Sequence, residues 1–322
     1  MKPILTVDDL RVHFRVENGL LRAVDGIRFT INEGEIFGLA GETGCGKSVT
    51  ALSIMNLIQQ PPGIIASGDV LFKDQSTLKM SERALRSLRG NKIAMIFQDP
   101  ITFLDPVFTI RTQLLEPIML HQRVRKKAAI SRAIEILNLV GISDPEMRLK
   151  DYPYRLSGGM CQRIMIAIAL SCHPDLLIAD EPTTALDVTI QAQILKLMKE
   201  MRDKLGTAIL LITHDLGVVA EMCDRLAIMY AGHIVEEEEV FSIFDNPLHP
   251  YTQGIISCIP SVDHTVDRLT TIAGNVPLLV EPLQGCPFES RCTQKLPKCG
   301  SSFPPEIYVS EKHRVACFLH ES

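Results

Sequence analysis

The chain has 322 residues, 46% of them hydrophobic and 22% charged. That composition excludes disordered, collagen-like and mucin-like chains and predicts about two domains at roughly 150 residues each. Its 33 basic and 38 acidic residues leave a net charge of −5, which gives no global pull toward nucleic acid or anionic lipid.

No apolar run approaches the roughly 18 residues of a membrane span. The stretch Met1–Leu10 carries Asp8 and Asp9 and lacks a signal-peptide core, so a cytosolic chain is expected. Val24–Ile31 alternates as a strand, and Ile36–Ala40 is a nearly all-apolar run suited to a strand buried on both faces. Gly41–Ser48 follows, then Val49–Leu57 with helical character, the breaker Pro61-Pro62-Gly63 and a strand at Lys92–Phe97. Strand patterns then vanish. Ile110–Leu120 and Ala128–Val140 read as helices of an insert at about 98–170, and the basic run Arg123, Arg125, Lys126, Lys127 reads as a solvated helix end. Strands return at Leu176–Ala179 and Ile209–Thr213 around a helix at Ile190–Leu205, and Leu226–Met229 with His233–Val235 reads as a hairpin. The run Glu236–Glu239 is expected to be a solvated turn. Beyond Asn246 recurrent prolines predict a small, loop-rich module.

The segment Gly41-Glu42-Thr43-Gly44-Cys45-Gly46-Lys47-Ser48 fits G-x-x-x-x-G-K-[ST] between a strand and a helix. Glycine lets successive backbone N–H groups turn toward one phosphate cluster, and the helix start adds a partial positive charge. Lys47 then reaches the β- and γ-phosphates, and Ser48 offers a hydroxyl to Mg²⁺. Cys45 is read as a small loop residue. The apolar strand Leu176–Ala179 runs into Asp180 and Glu181. Asp180 can hold Mg²⁺ through water while Glu181 polarises the attacking water. In Leu156-Ser157-Gly158-Gly159-Met160, Ser157 can cap a helix whose glycines leave N–H groups open to an anion. This is a second phosphate-binding helix end, and it suggests a site shared between two copies.

Together GETGCGKS, LSGGM and LLIADEP, with Gln98 before the insert and His214 after a strand, resemble the ATP-binding cassette of ABC transporters. The resemblance covers residues 4 to about 240. It implies an α/β P-loop NTPase cassette (1–240) with a helical insert subdomain, followed by a small Pro/Cys-rich C-terminal module (241–322). It implies that Gln98 contacts Mg²⁺ and water, and that Ser157, Gly158 and Gly159 close over the γ-phosphate held by an opposite subunit. Asp187 couples the two sites, His214 binds the γ-phosphate, and Phe14 stacks on adenine. Ile96-Phe97-Gln98-Asp99-Pro100, Asn246-Pro247, His249-Pro250-Tyr251-Thr252 and Gly285-Cys286-Pro287-Phe288 are similar to the oligopeptide/dipeptide (and nickel) importer branch. Cys161 and Asp105 depart from its usual residues, Arg or Lys and Asn.

Five of the nine cysteines are scattered, and Cys286, Cys292, Cys299 and Cys317 fall within the last 37 residues, spaced C-x5-C-x6-C-x17-C. An odd total in a cytosolic chain argues against a disulfide framework, and four clustered thiols point to a metal. The spacing matches neither common zinc sites nor a ferredoxin run. The resemblance implies a structural [4Fe–4S] cluster, with Zn²⁺ or metal-free buried thiols as alternatives. His313 is read as a surface residue. The resemblance further implies ATP and Mg²⁺, a second ATPase subunit (a paralogue, with a second copy of this chain as the alternative), two transmembrane permease subunits and an extracytoplasmic solute-binding protein, no nucleic acid, and a peripheral place on the cytoplasmic face of the inner membrane. Soluble ABC ATPases acting on nucleic acid or ribosomes usually carry two cassettes or a coiled-coil insert, and this chain has one cassette and no heptad run. A P-loop kinase or GTPase does not account for LSGGM. The solute stays open between dipeptide, longer peptide, nickel and other small solutes.

Overall fold

The computed structural model describes residues 2–183, 187–259, 272–280 and 282–321. The chain divides into two compact units, one of residues 1–4, 32–35 and 79–211, the other of residues 5–31, 36–78 and 212–322.

The second unit opens with β1 (Pro3–Val16), β2 (Gly19–Asn32) and β3 (Ile36–Ala40), continues through α1 (Lys47–Ile54), and adds β4 (Gly63–Phe72) and β5 (Gln75–Ser76). Strands β2-β1-β4-β5 form one sheet. The sequence pattern reveals only the Val24–Ile31 part of it. The reason is visible in β1: its pairing with β4 shifts register between Asp8 and Arg11, and Asp9 has φ 46°. A bulge there breaks the period-two alternation that marks a strand. Strand β3 is buried at all five residues, as expected for a strand covered on both faces.

The first unit carries α2 (Glu82–Leu88), β6 (Ile93–Ile96), α3 (Pro100–Phe103), α4 (Ile110–Gln122), α5 (Lys126–Leu139), α6 (Pro145–Arg148) and α7 (Gly158–Leu170). Then come β7 (Leu176–Asp180), α8 (Val188–Leu205) and β8 (Ala208–Thr213), whose last two residues belong to the second unit. Strands β6 and β7 pair in parallel, with Ile93 opposite Leu176. The segment between them is helical; Arg123 and Arg125 lie exposed between α4 and α5, and Lys126 and Lys127 lie exposed at the start of α5. The α4 start is capped by Thr109, α7 by Ser157 and α8 by Asp187, whose carboxylate accepts the Ile190 N–H at 2.9 Å. Each cap satisfies an N–H that the helix itself leaves open. Gly206, at φ 69°, ends α8. Cys161 is buried in α7, its thiol facing Pro153 O at 3.6 Å. Asp105 stabilises a turn by accepting the Val107 N–H at 3.0 Å.

Back in the second unit are α9 (Leu216–Met222), β9 (Arg225–Tyr230), β10 (His233–Glu239), α10 (Val240–Asp245), α11 (Pro250–Ser257), β11 (Ile307–Tyr308) and β12 (Arg314–Val315). Here β9 pairs in parallel with β3 and forms the expected hairpin with β10, to which β12 and then β11 are added. Two expectations are corrected. Glu236–Glu239 is the end of β10 rather than a solvated turn, and Glu236, Glu237 and Glu238 are buried. His313 is buried rather than on the surface. The two corrections have one cause. His313 Nε2 meets Glu236 Oε1 at 2.8 Å, and Glu236 also accepts the N–H groups of Leu248 and His249 at 2.8 and 2.9 Å. Glu237 pairs with Arg314 at 2.5 Å and with Arg225. Buried carboxylates persist only with such compensation. The apolar core under this tail is small: Leu248, Val315 and Cys317, with Ile307 packed against them.

Candidate functional site

In the second unit the segment 41–46 leaves β3 and feeds α1. Gly46 is the residue before the helix, with φ 109° and no side-chain cap. A Cβ on Gly46 would lie 2.4 Å from the Ala23 carbonyl oxygen, and one on Gly41 2.1 Å from that of Met229. Both neighbours are backbone, so only glycine fits. Lys47 is 6% exposed. Its Nζ donates to the carbonyls of Gly41 at 2.7 Å and Glu42 at 2.9 Å, so the ammonium ties the two ends of its own loop. Cys45 is fully buried and burial pushes its thiol pKa up, which makes it a packing residue. Thr43 and Gly44 are exposed and Ser48 is half-buried at the helix start.

The same unit holds Phe14, half-buried on β1, and His13, whose pKa burial lowers. His214 is exposed just past β8, followed by Asp215, which caps α9 by accepting the N–H groups of Gly217 and Val218.

In the first unit β7 ends on buried Asp180, followed by Glu181 at φ 48°. A non-glycine residue in that region is strained, and such turns re-aim the side chain at the end of a strand. Gln98, exposed beyond β6, donates from Nε2 to Glu181 Oε2 at 3.1 Å. The parallel pairing of β6 and β7 therefore brings together two residues 83 positions apart. Ser157 Oγ accepts the Met160 N–H at 3.3 Å, and Ser157 and Gly158 are exposed, with Gly159 half-buried behind them. Asp187 is exposed at the start of α8, while Thr184, Ala185 and Leu186 lie outside the described residues.

Sequence reasoning missed the brace on Glu42. Its N–H donates to Tyr251 Oη at 2.9 Å and its carboxylate meets Arg291 at 3.1 Å. Separations of 209 and 249 residues leave no local signal.

Cys286, Cys292, Cys299 and Cys317 line one cavity of about 20 Å³, together with His249 and Phe318. Among the described residues no three His, Cys, Asp or Glu side chains are grouped closely enough to hold a single metal ion. The donor chemistry nonetheless fits a thiolate-bound centre. Backbone N–H groups point at Cys292 from Gln294 and at Cys299 from Leu296, both at 3.4 Å. Those of Phe288 and Leu319 serve Cys286 and Cys317. Each such bond favours the charged sulfur. Against this, burial, then the neighbouring sulfurs, push the Cys286 thiol up to about 11, so that thiol stays protonated unless a cation replaces its proton.

Residues 24–184 match the family described as ABC transporter, and residues 235–299 match the oligopeptide/dipeptide transporter C-terminal region. The chain is 48% identical to the oligopeptide transport ATP-binding protein AppD of Bacillus subtilis, over all of this chain and 98% of that one. It is 47% identical to the dipeptide transport ATP-binding protein DppD of the same organism, over all of this chain and 96% of that one. Among solved structures it resembles the dimeric ATP-binding cassette MJ0796 in a post-hydrolysis state bound to ADP and Pi, with a TM-score of 0.67 and 26% identity over 73% of this chain and 98% of that one. Among the described residues no helix is long and apolar enough to cross a membrane. The chain belongs to the ABC transporter family, in the branch carrying the oligopeptide/dipeptide transporter C-terminal region, and is the ATP-hydrolysing subunit of an ABC importer.

Proposed function

We propose that the chain powers uptake of dipeptides or oligopeptides, working with a second, paralogous ATPase subunit, two permease subunits and an extracytoplasmic solute-binding protein at the cytoplasmic face of the inner membrane. The carrying observation is likeness along the whole chain to peptide-transport ATPases, including the C-terminal region. We divide the chain into a cassette at 1–240 and a C-terminal module at 241–322.

The residue roles follow from chemistry and position. Lys47 and the N–H groups of 41–48 hold the phosphates, and the Ser48 hydroxyl is offered to Mg²⁺, which would neutralise charge on the phosphates; Asp180 has the chemistry to take Mg²⁺ through water. Glu181 accepts the proton of the attacking water, and Gln98, hydrogen-bonded to it, orients that carboxylate. His214 binds the γ-phosphate and Phe14 stacks on adenine. Ser157, Gly158 and Gly159 present an open helix end to the nucleotide of the second subunit, and Asp187 couples the two sites. The four cysteines hold a structural [4Fe–4S] cluster. They line one cavity, and four thiolates complete the external ligation of such a cluster. A single bound zinc without iron would replace the cluster by that ion.

In liposomes with its permeases and binding protein, ATP hydrolysis should rise when di- or oligopeptide is added. Stimulation by nickel alone would reassign the solute. Glu181→Gln should retain ATP binding while lowering turnover by about 100-fold or more, the scale of a lost general base. Near-normal turnover would remove Glu181 from this role.

A further inference from the structure

We infer that the cysteine-bearing tail holds the phosphate loop in its nucleotide-binding shape, with Arg291 as the positioning residue. The inference rests on the reading that the 41–48 loop binds ATP.

Glu42, the second residue of that loop, is held at three points. Its N–H donates to Tyr251 Oη at 2.9 Å, its carbonyl accepts from Lys47 at 2.9 Å, and its carboxylate meets Arg291 at 3.1 Å. Two of the three come from beyond residue 249. Neither is a mobile surface contact. The Arg291 side chain is 5% exposed and Tyr251 is fully buried. Arg291 also donates to Tyr230 Oη at 3.3 Å, to Ala273 O at 2.9 Å and to Ile272 O at 3.3 Å. Its guanidinium lies 5.7 Å from the Tyr230 ring centre and 6.0 Å from that of Phe288. The rings of Tyr230, Tyr251 and Phe288 pack on one another at 4.7–5.4 Å. A guanidinium fixed this way has little freedom left to lose when it grips a carboxylate.

The covalent placement links this brace to the cysteines. Arg291 immediately precedes Cys292, and Phe288 lies two residues after Cys286. Whatever orders the cysteine loop also orders the cation that reaches Glu42.

Charge gives the brace a consequence for binding. An unpaired Glu42 carboxylate would set a negative charge in the loop that must accept a triphosphate. Arg291 neutralises that charge. The coupling is reciprocal: a nucleotide that needs the braced loop also stabilises the tail.

The test uses the assembled transporter. Arg291→Ala should raise the KM for ATP about tenfold with kcat within twofold, the mark of lost binding rather than lost chemistry. Arg291→Lys should recover part of the loss. Glu42→Gln combined with Arg291→Ala should bind ATP better than Arg291→Ala alone, because the stranded charge is gone. Tyr251→Phe keeps the ring and removes the hydroxyl, and should raise KM about threefold even if Arg291→Ala fails to fold. Bound ATP should slow proteolysis of the tail in the natural protein and not in Arg291→Ala. Unchanged KM in Arg291→Ala and Tyr251→Phe, or an additive Glu42/Arg291 pair, would overturn the brace. Lys47→Ala separates the two readings: if it binds ATP normally, the loop itself is misassigned and the brace falls with it.

Discussion

Helices α1 and α7 both begin in glycine-containing turns able to meet an anion, yet their surroundings are opposite. At α1 the turn is closed by its own chain: Gly46 is packed against Ala23, Lys47 is folded back onto Gly41 and Glu42, and Tyr251 and Arg291 hold Glu42. At α7 the turn is open. Ser157 and Gly158 are exposed, and a Cβ on Gly158 would meet nothing within 4 Å. One end is finished within the subunit, and the other is shaped for something brought from outside, which supports a shared nucleotide site.

Substitutions at these two turns should separate them. Gly46→Ala should have the largest effect, lowering ATP affinity by about 100-fold or more, because both the φ of 109° and the 2.4 Å approach to backbone forbid a side chain. A titration with a fluorescent ATP analogue measures it, and near-normal affinity would show that the loop relaxes freely. Ser157→Arg should follow: mixed with natural subunits, it should abolish hydrolysis at the partner's loop while its own loop still binds ATP. Loss confined to the mutant's own nucleotide would break the comparison.

Acid should loosen the closed turn before the open one. His233 adjoins Gly232, whose N–H donates to Cys45 O at 2.9 Å. Burial first, and then Arg11 against the opposing pull of Asp25, leave its pKa at about 4. A folded pKa below the unfolded value of about 6.5 means that the stability is complete above pH 6.5 and is lost as pH falls toward 4, at up to about 1.4 kcal/mol per unit. Denaturant midpoints between pH 7 and 4.5 should show this slope added to that of His249, whose pKa burial lowers to about 3, and His233→Gln should remove the His233 share and leave the rest. The smallest effect belongs to Gly158→Ala, which should change stability by less than about 0.5 kcal/mol. A loss of several kcal/mol on thermal melting would mean that this turn is as tightly packed as the first.

Much of this was legible in the residues. The phosphate loop, the LSGGM turn and the Asp180-Glu181 strand end are local motifs whose backbone demands are written in neighbouring letters. The helical insert, the β9–β10 hairpin and the core strands β3 and β7 follow from apolar runs and periodicity. What was hidden depends on distance along the chain. Glu236–Glu238 read as solvated because the groups that compensate them, His313 and Arg314, lie 77 positions away. The β1 strand was hidden by a bulge that interrupts its alternation at Asp8 and Asp9. The Gln98–Glu181 bond needs two strands to pair first. The brace on Glu42 is the extreme case, joining the front of the cassette to the proline-rich tail.

The two-residue strands β11 and β12 have a consequence for how this chain tolerates shortening. Strand β12 pairs with the seven-residue β10 at Glu236 and Glu237, with β11 outside it, and a short, irregular outermost strand is a poor template for another protein to pair with. Removing the residues after 305 would unpair β10 at Glu236 and Glu237 and strip those two carboxylates of His313 and Arg314. Such a chain would retain every nucleotide motif and still expose part of a strand edge, so residues 306–322 also shield β10 from pairing with another chain.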